Sequence, residues 1–539
     1  MWDIRSILFS AVLAALLFAP VPTDAQVSRY DVAILGGRVI DPETGFDGIA
    51  NVGILGGQIA VVTTDSISGE SEVNARGLVV APGFIDPLTS VGSARLPSAL
   101  YKVTDGVTTV LGLHNGPVDV EALYRSLESE DMLLNYGTNV GHAALRGAVG
   151  LSSGDEGERE VPATTEQVTR IVELAREGIL GGALGIGFGI QYVPSTTEEE
   201  VFRLFELGAQ YGVPSHLHIR YLGPQRPINS VKAIHEVIAT AAATGASAHV
   251  AHVNSTSPRD IDLVLDLLEG AAAHGVDVSA DAYPWEAGST GLESSVFDPG
   301  FRERMSIGYD DIELVSTGER LTEETFHWYR SDDNRDGVIV HFIPTETLRK
   351  ALTSPIVMVA SDGAISPEGR GHPRGAGTYA RFLRQYVREW GDLSLVEAMR
   401  KTSYMAAVQL QQASPAMRRK GRLSAGADAD IVVFDLAIVR ERATYLEPAQ
   451  TSVGIEHVWV NGVRVVRGGE LVEGVAPGRA IRGAPERSRE SLPGGDECGP
   501  AGPEPNKRLL LPRVTCQVRF TCLEAVPCSK ISRRSQLCR

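Results

Sequence analysis

The sequence predicts an α/β protein: a (β/α)8 (TIM) barrel with a composite β-sandwich formed from both ends of the chain. Three observations predict it. Eight short apolar runs alternate with helix-like stretches, a β-rich module is split between the two ends, and the chain has 539 residues. That length is too great for one small domain and suits a large barrel with an accessory layer.

The runs are Leu78-Val79-Val80-Ala81, Val107-Thr108-Thr109-Val110, Thr138-Asn139-Val140-Gly141, Ala183-Leu184-Gly185-Ile186, Val213-Pro214-Ser215-His216, Ser247-Ala248-His249-Val250, Val276-Asp277-Val278-Ser279 and Ile356-Val357-Met358-Val359. Amphipathic segments such as 166–177 and 258–274 lie between them, and strand–helix alternation repeated eight times is the pattern of a parallel barrel. Residues 284–355 break the rhythm with no simple helix, which predicts a lid-like insertion over the barrel mouth. The sandwich is expected from residues 26–80 and 421–483, on either side of a barrel at 81–420. Asn461-Gly462 between Val-rich runs is a hairpin signal.

The ends differ from the body. Residues 1–25 carry Arg5, an apolar run from Ile7 to Ala19, and Thr23-Asp24-Ala25 before Gln26. This reads as a signal peptide, so the expected location is periplasmic or secreted. The run is shorter than the roughly 20 residues that cross a bilayer, and no stable membrane span is expected after cleavage. All five cysteines lie in the last 42 residues, so the body has no thiolate for a metal. The Cys-, Arg- and Pro-rich segment 484–539 reads as a disordered tail. A net charge of -17 argues against a nucleic-acid partner, because phosphate backbones attract basic surfaces.

Polar residues cluster where the expected strands end, the face that carries chemistry in such barrels. His114 and His142 end the second and third strands. His216 and His218 share a face of the fifth, since side chains alternate with period two. His249 and His252 belong to the sixth and Asp362 ends the eighth. One histidine at a strand end is usually an ordinary polar residue. Histidines and an aspartate gathered from three strands suit Zn²⁺ or a similar divalent ion.

The phrases Gly36-Gly37 with Ile40-Asp41, Ala81-Pro82-Gly83-Phe84-Ile85-Asp86, Asp105-Gly106-Val107-Thr108-Thr109 and Gly426-Ala427-Asp428-Ala429-Asp430 resemble the amidohydrolase superfamily. Val140-Gly141-His142 with Arg146, His218-Ile219-Arg220, Ala282-Tyr283-Pro284 and His372-Pro373-Arg374-Gly375 resemble its N-acyl-D-amino-acid deacylase branch. The resemblance covers residues 30–483. It implies zinc-dependent hydrolysis of a small N-acyl amino acid, with His218 and His252 as metal ligands; His114, by its place at the end of the second strand and not by the resemblance, is a candidate further ligand. Asp362 would be both ligand and general base, and Tyr283 and Arg374 would hold the substrate carboxylate.

The chain also departs from that pattern. Where the family has a His-x-His pair on the first strand, this sequence has Leu88 and Ser90. Where relatives bridge two metals with a cysteine or carboxylate, it has His114-Asn115. One ion is therefore expected rather than two, and Leu88 and Ser90 are expected to point into the barrel mouth. Two readings follow: a one-metal hydrolase of non-peptide C–N bonds, or a catalytically degenerate relative that only binds a small acylated amino acid.

Overall fold

The computed structural model describes residues 29–151, 161–331 and 336–484. The leader and the cysteine-rich tail lie outside the described residues. The chain divides into two units at residue 489, and every described residue belongs to the first.

The amino-terminal arm contributes five strands: β1 (Arg29–Asp41), β2 (Phe46–Leu55), β3 (Gln58–Thr63), β4 (Ser68–Asn74) and β5 (Val79–Pro82). Gly83 then turns the chain into the barrel, and it must be glycine. A Cβ there would meet Thr108 Cγ2 at 2.2 Å.

The barrel strands are β6 (Phe84–Asp86), β7 (Val107–Gly112), β8 (Asn135–Thr138) with β9 (Val140–Gly141), β10 (Ile186–Gly189), β11 (Ser215–His218), β12 (Ala248–Val250) and β13 (Val278–Ala282). The insertion supplies β14 (Ala287–Gly291), β15 (Ile312–Leu314) and β16 (Gly337–His341), and β17 (Val357–Val359) is the eighth barrel strand. Parallel pairing runs β6-β7-β8 and β9-β10-β11-β12-β13-β17, so the third strand is one strand interrupted at Asn139. Among the described residues no ladder joins β17 to β6, and side chains close that seam.

The chain returns to the first sheet with β18 (Ile431–Phe434), β19 (Ile455–Val460), β20 (Val463–Arg467) and β21 (Glu470–Leu471). β18 lies antiparallel to β5, with Val433 opposite Val80. Alternation along these two strands serves two cores. Val80, Ile431 and Val433 face the sandwich interior with Ile34, Val52 and Trp459, whereas Val79, Val432 and Phe434 join the main core of the barrel and its helices. Asn461-Gly462 does turn β19 into β20, with positive φ at both residues.

Two expectations need correction. Leu78-Val79-Val80-Ala81 is not the first barrel strand, because it pairs with β1 and β18 in the composite sheet. The barrel begins at Phe84, after the glycine turn. Residues 284–355 also contain helices, Glu323–Ser331 and Thr345–Thr353. The second packs on β17 and on the helix Ile261–Ala273, so it is a barrel helix. The inserted part is the small antiparallel sheet β14-β16-β15 with its own core of Phe297, Phe301, Phe326 and neighbours.

A buried polar network couples barrel to sandwich. Asp430 accepts from Lys420 Nζ (2.6 Å), Asn135 Nδ2 (3.0 Å) and Asn461 N (2.7 Å), and Asn461 Nδ2 donates to Asn135 Oδ1 (2.8 Å). Asp430→Ala is expected to cost about 3 kcal/mol, because a buried partner is removed and the donors around it are left unsatisfied. Urea unfolding of the variant against the parent measures it.

Candidate active site

The carboxyl ends of the barrel strands and the insertion enclose a cavity of about 420 Å³. His114, His218, His252, Tyr283, Asp362 and Arg374 all line it, so residues spread over 260 positions meet at one site. β16, the segment between β14 and β16, and the residue just past β16 add an apolar side through Val296, Met305, Val340 and Phe342.

Three imidazoles stand together. The ring centroids of His218 and His252 are 4.6 Å apart, and His252 Nε2 lies 2.6 Å from His218 Nδ1. His114 sits 5.2 Å from His218, ring to ring, with its Nδ1 buried and without a hydrogen-bond partner. Burial lowers the pKa of each, and for His218 it acts together with the neighbouring His252. Neutral imidazole is the form that binds a metal.

Asp362 Oδ2 accepts from Arg374 NH2 at 2.8 Å, and the Arg374 guanidinium lies 4.5 Å over the Tyr283 ring. Arg374 NH2 also approaches the Ser289 carbonyl at 3.4 Å, while Nε and NH1 are buried without partners. His372 steadies the arginine by accepting from its backbone N (3.0 Å). Both His252 (φ 35°) and Asp362 (φ 50°) occupy the left-handed region. That costs of order 1–3 kcal/mol each and persists only where surrounding structure imposes it.

Other candidates point elsewhere. His142 and Arg146 are buried against Glu200 at 2.6 and 2.7 Å. His216 bonds Asn139 and Gln409, and His249 bonds Ser279 and Asp281. Burial pushes His249 down to about 3 and Asp281 up to about 7. Arg220 is spent on Glu236 and the Thr196 carbonyl.

Leu88 packs against Ala251 and Ala360, inside the barrel. Ser90 does not point into the mouth. It is exposed and caps the short helix Val91–Ala94 by accepting from Gly92 N, because the strand ends at Asp86 and the chain turns before it.

The sequence reading passed over two residues that set His252. Asp281 Oδ1 accepts from its backbone N (2.8 Å), and Ser255 Oγ lies 3.0 Å from its Nδ1. Asp281 sits on β13 two residues before Tyr283, which lies just past the strand's end, and that period-two spacing was the available signal.

The profile of the amidohydrolase family matches residues 102–465. The chain belongs to the amidohydrolase family. It is 30% identical over 507 residues to an N-acyl-D-glutamate deacylase of Alcaligenes xylosoxydans xylosoxydans, covering 86% of this amidohydrolase and 99% of that protein. The N-acyl-D-glutamate deacylase of Bordetella bronchiseptica, solved with zinc and a phosphonate mimic of the tetrahedral intermediate, superimposes with a TM-score of 0.72. Identity is 26%, with 84% and 100% of the two chains covered. A D-aminoacylase with a binuclear metal centre, described by one-metal activation and second-metal attenuation, superimposes at 0.73. It is 25% identical, again covering 84% and 100%.

The donors of this amidohydrolase fit one divalent ion by their chemistry. Two neutral imidazoles converge, and a third offers an unpartnered nitrogen. Leu88 is apolar and Ser90 lies outside the cavity, so neither offers the ion a donor. Among the described residues no three His, Cys, Asp or Glu side chains already stand as a metal cluster, Asp362 being turned onto Arg374.

The buried group His142–Glu200–Arg146 is structural on this geometry. Glu200→Gln is expected to lower stability by about 3 kcal/mol by stranding a buried guanidinium. Affinity for a cavity ligand, measured per folded molecule by calorimetry, should stay at the parent value.

Proposed function

We propose that this amidohydrolase cleaves the amide bond of N-acyl-D-amino acids or closely related small amides with the help of one divalent ion, zinc for preference. The observation that carries the reading is Arg374. Its Nε and NH1 are buried in the cavity without partners, while NH2 holds Asp362. A planar fork with an unsatisfied edge suits a carboxylate, which it binds through two parallel hydrogen bonds. Tyr283 backs the fork, and the imidazoles lie across the same cavity.

His218 and His252 are the residues that would hold zinc, with His114 as a third imidazole. Bound there, the ion supplies Lewis acidity to the acyl carbonyl and lowers the pKa of water. Arg374 and Tyr283 grip the substrate carboxylate and fix the amide beside Asp362. Asp362 takes a proton from the attacking water and passes one to the leaving nitrogen. Ser255 and Asp281 orient His252, and the apolar side of the insertion keeps bulk water from the reacting bond.

The relatives support this reading. An N-acyl-D-glutamate deacylase is among the proteins this chain is similar to, and one metal activates a similar D-aminoacylase. The leader-like segment 1–25 supports export to the periplasm or beyond. Leu88 and Asn115, at positions where the family offers ligands, favour a second reading, a relative that binds such a ligand without cleaving it.

Two experiments bear on this. Elemental analysis of purified protein is expected to find about one zinc per chain, and none in a His218→Ala, His252→Ala double variant that remains folded. Stoichiometric zinc in that variant sinks the assignment. Acetate release from N-acetyl-D-amino acids by the zinc-loaded parent separates the enzyme from the binder. Arg374→Lys keeps the charge but loses the fork, so KM should rise by an order of magnitude or more. An N-acyl-D-amino acid and its methyl ester processed equally by the parent would remove the role given to Arg374.

A further inference from the structure

Asp362 holds its left-handed φ of 50° between two residues that are both tied to the first barrel strand and to the helix Ser98–Val103 that follows it. Ser361 N donates to Asp86 Oδ1 at 2.9 Å, and Ser361 Oγ donates to Asp86 Oδ2 at 2.6 Å. Lys102 Nζ donates to Asp86 Oδ2 (2.8 Å), Ser361 Oγ (2.7 Å) and the Gly363 carbonyl (2.7 Å), which uses all three of its N–H bonds. Thr89 Oγ1 donates to the same carbonyl at 2.9 Å. Leu88 packs on Ala360. Residues 360, 361 and 363 are therefore each fastened to the segment 86–102, while Asp362 projects into the cavity.

The Asp86 and Lys102 side chains are buried, 0% and 3% exposed. A buried ion pair gains little net stability, because desolvation offsets its attraction, and an apolar pair of equal volume often serves stability as well or better. What the charged pair adds here is direction. Lys102 reaches across the seam that no ladder closes and grips the chain on both sides of one residue.

We propose that Asp86 and Lys102 are positioning residues, helped by Thr89, that impose the left-handed conformation of Asp362 and so aim its carboxylate into the cavity. The first-strand segment, whose counterpart in the family offers imidazoles to a metal, acts in this chain as a brace for the eighth strand's aspartate. The consequence for turnover rests on the proton-carrying role given to Asp362 above.

The test uses the full-length protein. In Asp86→Asn, Lys102→Met both charges leave together, so no lone charge is stranded. Thr89→Val removes the bond to the Gly363 carbonyl together with the longer 3.4 Å contact to Ser93 Oγ, and Lys102→Arg serves as the conservative control. Hydrogen–deuterium exchange of peptides spanning 357–368 is read beside exchange elsewhere, thermal midpoint, and kcat and KM on an N-acetyl-D-amino acid. The double variant is expected to exchange at least tenfold faster at residues 361–364 with the rest of the barrel unchanged. Its kcat should fall by about a hundredfold, the order of loss that follows from misplacing a reacting group by an ångström, with KM within threefold of the parent. Thr89→Val should lose a few-fold in kcat, and Lys102→Arg should recover part of the loss.

Parent-like exchange at 361–364 in the folded double variant overturns the proposal. So does a lowered thermal midpoint with kcat per folded molecule unchanged, which is what a merely structural pair would give. If the double variant does not fold, Thr89→Val decides, and parent-like exchange and kcat there overturn it. A parent that hydrolyses nothing refutes the proposed function, and the exchange measurement still decides the brace.

Discussion

Parallel strands impose one direction on the whole barrel, and the cavity depends on that. In the observed register Gly189 pairs with His218, Leu217 with Val250, Val250 with Ala280 and Ala282 with Val359. His218, His252, Tyr283 and Asp362 therefore emerge at one level, each at or just past the end of its strand. A slip of one residue in any of these ladders would turn that strand's donor out of the mouth and towards the helices. The register is held from outside by apolar side chains that interlock with the helices. The chemistry at the top thus inherits its geometry from packing well below it.

Much of this architecture is legible in the sequence because period-two apolar runs, glycine turns and strand-end histidines are all local signals. Most of the expected strands overlap the observed ones, although several begin two or three residues later, as at Ser215–His218 after Pro214, which has no N–H to donate. The first strand was misplaced for a physical reason. Val79–Pro82 is apolar on both faces because it lies between two cores, and burial of that kind looks the same in a sandwich as in a barrel. The barrel helix Thr345–Thr353 was hidden by its neighbours, since the inserted sheet before it carries no helical period.

The cavity was legible as a set of residues but not as a set of bonds. His114, His218, His252, Tyr283, Asp362 and Arg374 meet as their positions suggest. That Asp362 rests on Arg374, and that His218 and His252 face each other, follows from distances no one-dimensional pattern contains. Ser90 failed as a mouth residue because extending a strand's alternation past Asp86 assumes a straight chain, and this one turns into a short helix. Ser255 and Asp281 act on His252 from positions whose residue types are unremarkable alone.

The composite sheet also sets a schedule. β5 meets β18 only after roughly 350 further residues have been made, which at ordinary elongation rates of about 5–20 residues per second takes about 20–70 s. Through that interval the strand edge at Val79–Pro82 has no partner on its β18 side, and Val80 has no Val433 beside it. An unpaired apolar edge is a template for another chain. The nascent protein therefore depends on being shielded or kept extended until its last strands arrive, a demand that an enzyme with a contiguous amino-terminal domain would not make.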